Sequence, residues 1–126
     1  MSVEPTRTVD ITHLIPGPAR PTDLLMSIAG ITSRREATRL LVQGAVELHH
    51  PDWLSPLVIT TDEPIVPHDG LVLHVGKRRW YRLKISPVFA EVYEFTSLED
   101  ERAFLESCPY MTQEAIERTI KDDWVE

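Results

Sequence analysis

The spacing of apolar residues changes period at Gly44, and that change constrains the fold more than any other feature of the chain. Upstream, "TDLLMSIAG" (22–30) and "SRREATRLLVQG" (33–44) repeat apolar residues at three and four, as short helices do. Downstream, "AVELH" (45–49), "LVIT" (57–60), "LVLHV" (71–75) and "RWYRLKI" (79–85) are short, β-branched or aromatic segments separated by Pro, Asp and Gly clusters, as strands are.

Local signals place the ends of these elements. Thr22 reads as the N-cap of the first helix, with Asp23 in the first turn where the helix dipole favours an anion. Leu24, Leu25 and Ile28 turn inward and Gly30 is the stop. In the second helix Ser33 and Glu36 form a capping box, Gly44 closes the end, and Ala37, Leu40 and Leu41 face the core. Arg35 and Arg39, four apart, share a face, and Arg34 lies beside them, which gives a basic strip.

The segments 71–75 and 79–85 can pair as a hairpin across "GKR". Strand alternation then sends Tyr81, Leu83 and Ile85 to an apolar face, and Arg78, Trp80, Arg82 and Lys84 to a cationic one. Before the helices, residues 1–21 carry four prolines and read as an extended lead-in with a short strand at Val9–Ile15. After the strands, "VFAEVYEF" (88–95) reads as a further strand. "SLEDERAFLESC" starts a helix with Ser97 as N-cap, and "TQEAIERTIKDDW" places Ile116, Ile120 and Trp124 at helical spacing.

With 126 residues the chain is expected to form one domain with appended elements, because two domains would each be left with a thin core. It contains no run of about 18 apolar residues, and its first residues lack the basic start and apolar stretch of a secretory signal, so a cytoplasmic location is expected. The single cysteine, Cys108, reads as a packing residue near a helix end. The formal net charge of -7 conceals a division. Residues 1–21 are balanced, residues 22–86 hold eight Lys or Arg against seven Asp or Glu, and residues 87–126 hold three against eleven. Local field, more than net charge, decides what such a surface attracts.

"DLLMSIAGITSRREATRLLVQGAV" followed by "DGLVLHVGKRRWYRLK" resembles the S-four-type RNA-binding domain, in the form found at the C-terminus of bacterial tyrosyl-tRNA synthetases. The likeness spans about residues 22–85. Ser33, Arg34, Glu36, Ala37, Arg39, Leu40, Gly44 and Val46 fit its first part, and Val75, Gly76, Lys77, Arg78, Trp80 and Tyr81 its second. Two departures stand out: "HHPDWLSP" replaces the usual Asn-Gly turn, and the acidic tail has no close counterpart in the family. The nucleotide-binding motifs of a synthetase are also missing. The resemblance implies an α+β fold in which two short helices pack on a small twisted, mainly antiparallel sheet, here followed by a C-terminal strand and helical extension. The expected division is a lead-in (1–21), an S-four-like domain (22–86) and an acidic extension (87–126).

Function follows from the same residues. Arg34, Arg35, Arg39, Lys77, Arg78, Arg82 and Lys84 are expected to hold backbone phosphates, with Trp80 stacking on an exposed base. The resemblance makes structured RNA, tRNA or rRNA, the expected ligand. His49 and His50 beside Asp52 lack ligand spacing, because adjacent strand residues point apart. His13, His68 and His74 are scattered, and the pairs Asp62–Glu63 and Asp122–Asp123 read as solvated surface. No catalytic constellation is visible, so a non-catalytic protein without metal or cofactor is expected. The competing reading is a protein-interaction or scaffold subunit that keeps the fold without the RNA, with a protein partner docking through residues 87–126.

Overall fold

The computed structural model describes residues 4–14, 17–50, 52–53, 56–108 and 111–124. Its elements run β1 (Arg7–Val9), α1 (Pro21–Ile28), α2 (Arg34–Val42), β2 (Val46–His49), β3 (Leu57–Val58), β4 (Val72–Val75), β5 (Arg79–Ile85), β6 (Val88–Glu94), α3 (Leu98–Glu106) and α4 (Gln113–Trp124). The strands form one antiparallel sheet in the order β1-β6-β5-β4-β2-β3, an α+β architecture.

Both faces of this sheet are covered. On the first, Val46, Leu48, Leu73, Val75, Tyr81, Leu83, Ala90 and Val92 meet Leu24, Leu25 and Ile28 of α1 and Ala37 and Leu41 of α2. On the second, Val72, Trp80 and Tyr93 meet Phe104 and Leu105 of α3 and Ile116 and Ile120 of α4. Alternation along β5 accounts for the division, since Tyr81 and Leu83 point one way and Trp80 the other. All four residues of β4 are buried, as a strand covered on both faces requires.

The hairpin expected across "GKR" is present, with Leu73 opposite Tyr81 and His74 opposite Trp80. Its turn places Gly76 and Arg78 at φ 63° and 66°, a region that suits the glycine and is uncommon for the arginine. The Gly76 N–H donates to the Ala45 carbonyl at 2.7 Å, which holds this turn against the residues just after α2. The boundary expected at residue 86 falls in the turn of the β5–β6 hairpin, where seven residue pairs join the two strands. The strand of the acidic segment is therefore a member of the same sheet.

Several local expectations need correction. Thr22 lies inside α1, whose N-cap is Arg20. Asp62 does the capping from a distant loop, its carboxylate accepting from the Thr22 N–H and hydroxyl at 2.9 Å each. The proposed surface pair Asp62–Glu63 thus contains a structural anchor. The lead-in strand falls at Arg7–Val9 instead of Val9–Ile15, and Ile15 lies outside the described residues. Ile11 and Ala19 are buried, so the lead-in is part of the core. Ser33 and Ser97 cap as expected, accepting from the Glu36 and Asp100 N–H groups at 3.1 and 3.2 Å. Cys108 is buried just past the end of α3.

Candidate functional site

Two regions bring together residues with chemistry, one on each side of the sheet. The first is the outer face of α2. Ala37 and Leu41 face the core, so Arg35, Thr38, Arg39 and Val42 must face outward, where with Ser33 and Gln43 they line a shallow open surface. Arg35 makes no hydrogen bond or ion pair with the described residues, and Arg39 pairs with Glu36 on the same helix while remaining 62% exposed. Arg34 turns toward α1 instead: its guanidinium meets Asp23 at 2.6 Å and donates to the Thr22 hydroxyl. Lys77 is exposed on the β4–β5 turn, which is hydrogen-bonded to Ala45 just after α2.

The other expected contacts lie across the sheet, under α3 and α4. Trp80 is 0% exposed, so its expected role in base stacking is corrected: the ring is a core residue. Its indole N–H donates to Glu101 at 2.9 Å, and its face stacks on the His74 ring at 3.9 Å and 4°. Arg78 lies 3.8 Å over the Trp124 ring and donates to the Asp123 carbonyl at 2.9 Å. Arg82 faces Glu91 at 3.6 Å and lies 5.2 Å from the Phe104 ring. Lys84 is half-buried on the same strand. The cationic face read from alternation exists, but the tail helices cover most of it. Arg78 and Arg82 are partly buried and held by internal partners.

The second region is the polar network that this cover encloses. His74 lies between two carboxylates, its Nδ1 3.3 Å from Glu47 and its Nε2 3.2 Å from Asp123. Asp123 also accepts the Arg78 backbone N–H at 3.3 Å, and Glu101 accepts both the Trp80 and Trp124 indole N–H groups. Burial penalises the imidazolium, but the hydrogen bonds and charges of Asp123 and Glu47 outweigh it and hold His74 at about 9. His49, on the same face of β2 as Glu47, is pushed down to about 4, chiefly by burial. Burial and a hydrogen bond with Asp123 raise Glu101 to about 7, against the two indole donors. Asp123 is held below its usual value because His74 and Glu101 outweigh its own burial.

Glu47 and His49 also border a cavity of about 180 Å³ between the end of β2 and α4, whose lining includes Trp53, Arg118 and Asp122. The sequence reading missed this region. His49 and His74 are buried strand residues, and Asp123 is buried although its neighbour Asp122 is exposed. A signal was available in "VELH", where alternation puts Glu47 and His49 on one face. The partners, however, come from β4, α3 and α4, and only the tertiary register unites them.

Comparison with protein-family models, with curated proteins and with solved structures gives no match for this chain.

Proposed function

We propose that the chain is a non-catalytic RNA-binding protein that holds structured RNA, tRNA or rRNA, against the outer face of α2 and the β4–β5 turn. The observation that carries this reading is the placement of Arg35, Arg39 and Lys77. The arginines stand on the exposed face of α2, and the Ala45 carbonyl just after that helix accepts from Gly76 in the turn that bears Lys77. The resemblance to the S-four-type domain rests on these same segments. Guanidinium groups match phosphate oxygens bidentately, and a folded RNA held by its backbone is recognised mainly by shape. Arg34 orients the two helices through Asp23 and Thr22, leaving phosphate contact mainly to Arg35, Arg39 and Lys77.

The test is a titration of folded tRNA at several salt concentrations against the parent and the Arg35→Glu, Arg39→Glu double variant. The parent is expected to bind with log K falling linearly in log salt, at about 0.7–0.9 per neutralised phosphate. The double variant is expected to lose at least about tenfold in affinity and to have a shallower slope. Equal binding by both proteins removes α2 from the site.

A second reading, a protein-interaction subunit, is favoured by a different observation. The edge strand β3 exposes Leu57 and Val58, and Val42 on α2 is 72% exposed. An unpaired apolar edge is the usual place for another chain to add a strand. It would be supported by a protein partner that survives nuclease treatment and is lost in Leu57→Lys, Val58→Lys.

A further inference from the structure

Two groups of potential metal ligands share His74, and their surroundings differ. In the group His74, Glu101 and Asp123, the carboxylate oxygens already face N–H donors: the two indoles on Glu101, and the His74 ring with the Arg78 backbone on Asp123. That group is buried, and its charges are satisfied within the protein.

The group Glu47, His49 and His74 is different. Strand alternation places Glu47 and His49 on one face of β2, and the antiparallel register sets His74 directly opposite Glu47. One ligand atom from each lies within 4.8 Å of the other two. The Glu47 to His74 separation, 3.3 Å, already suits two ligands of one tetrahedral ion. Zinc bonds of roughly 2.0–2.1 Å to nitrogen and oxygen put neighbouring ligand atoms about 3.3 Å apart. Only the third vertex has to close in.

The outer partners are also in place. The Nε2 of His74 is occupied by Asp123, and its Nδ1 is turned toward Glu47, where a metal ion takes the place of the Nδ1 proton. A carboxylate holding the far nitrogen of a ligating histidine fixes the ring's tautomer and direction. Asp123 is in turn held by the Arg78 N–H, and the His74 ring by stacking on Trp80. Access comes from the cavity of about 180 Å³, which Glu47 and His49 border directly and which has room for an ion with several waters.

We propose that Glu47, His49 and His74 form a binding site for a divalent transition metal of the zinc class, entered from the cavity between β2 and α4. Two imidazoles and one carboxylate are a donor set that zinc takes when its fourth position is left for water or a ligand. Glu47 and His49 border the cavity, from which a water or ligand would reach that position. The site lies across the sheet from the arginines of α2, so it stands or falls independently of RNA binding.

The experiment uses the full chain, stripped with a chelator and then titrated with Co²⁺, followed by its ligand-field absorption. Displacement by Zn²⁺ is then measured in competition with a chromophoric chelator. One equivalent of Co²⁺ is expected, with a low-coordinate nitrogen and oxygen spectrum that Zn²⁺ abolishes. Zn²⁺ is also expected to raise the melting temperature of the parent. Asp123→Asn should weaken binding about 10–100-fold, and Glu47→Gln or His49→Gln should weaken it by more than that. His50→Gln, which alters the cavity wall but not the ligand set, should bind like the parent. Circular dichroism checks that each variant folds; if a ligand variant does not, the parent's own spectrum and stabilisation decide. No stoichiometric binding by the parent, unchanged affinity in Glu47→Gln and His49→Gln, or an equal loss in His50→Gln would each overturn the proposal.

Discussion

The two faces of the sheet are built on different principles. Under α1 and α2 the core is aliphatic, with one aromatic, Tyr81, among the residues of the sheet. Under α3 and α4 it is aromatic, with Trp80, Tyr93, Phe95 and Phe104 packed together and a charged network enclosed beside them. Shape and area suffice to specify the first face. The second is specified by partners, because each buried carboxylate or imidazole is stable only where another group meets it.

Strand β5 supplies residues to both faces, so it offers the sharpest way to break this comparison. Leu83→Ala, on the aliphatic face, should cost about 2–5 kcal/mol through lost transfer energy and a cavity. Trp80→Ala should cost more, at or above the roughly 3–5 kcal/mol typical of a large aromatic, because it also removes an N–H from Glu101 and the stacking surface of His74. In a domain of ordinary stability, about 5–15 kcal/mol, that variant is close to unfolded. Urea denaturation of the two proteins side by side makes the measurement. A cost for Trp80→Ala equal to or below that of Leu83→Ala would mean that the network adds nothing to the aromatic packing.

A smaller effect sharpens the contrast by pH. Glu101 has its folded value raised to about 7, so between its ordinary value and 7 the folded protein binds a proton that the unfolded chain has released. This contribution to stability is full at low pH, declines as pH rises through that window, and is flat above it. Glu101→Gln keeps a neutral group at all pH values but loses one acceptor for an indole. Its melting temperature should therefore lie below the parent's at pH 5, with the gap narrowing by a few degrees by pH 8. A gap that stays constant would show that Glu101 is ionised in the folded state throughout. A Leu83→Ala control, on the opposite face of the sheet from Glu101, should show no such narrowing.

How far each face could be read from the sequence follows from the same difference. Period and caps expose an aliphatic face directly: Ser33, Ala37, Leu41 and Gly44 delimit and orient α2 within a few residues of chain. Alternation likewise separates Tyr81 from Trp80 correctly. What alternation cannot say is whether the second face is open. Trp80 among arginines reads as a surface, and becomes a core only because Ile116 and Ile120, more than 30 residues later, pack over it. The caps of α3 and spacing of α4 announced helices, but not where they dock. The same limit hid Asp62 as the cap of α1 and Asp123 as the partner of His74, 40 and 49 residues from their partners. Charged residues have no periodicity that marks them as buried. Their burial depends on a partner that local pattern does not reveal.

The smallest expected effect concerns arginines of the two faces. Arg35 and Arg39 on α2 point to solvent, with only the Arg39–Glu36 pair among the described residues, so their conversion to alanine should move stability by no more than about 0.5 kcal/mol. Arg78 belongs to the enclosed face. Its guanidinium covers Trp124 and donates to the Asp123 carbonyl, and its removal uncovers an indole and leaves that carbonyl without its donor. Arg78→Ala should therefore cost about 1–3 kcal/mol, the range of a lost charge-assisted hydrogen bond. Since the φ of 66° strains an arginine and an alanine alike, the difference between the parent and Arg78→Ala in urea denaturation reads the contacts with α4 alone. Arg78→Gly also relieves the backbone and should be more stable than Arg78→Ala. No difference between the parent and Arg78→Ala would mean that Arg78 is held in place by the tail helix without stabilising it.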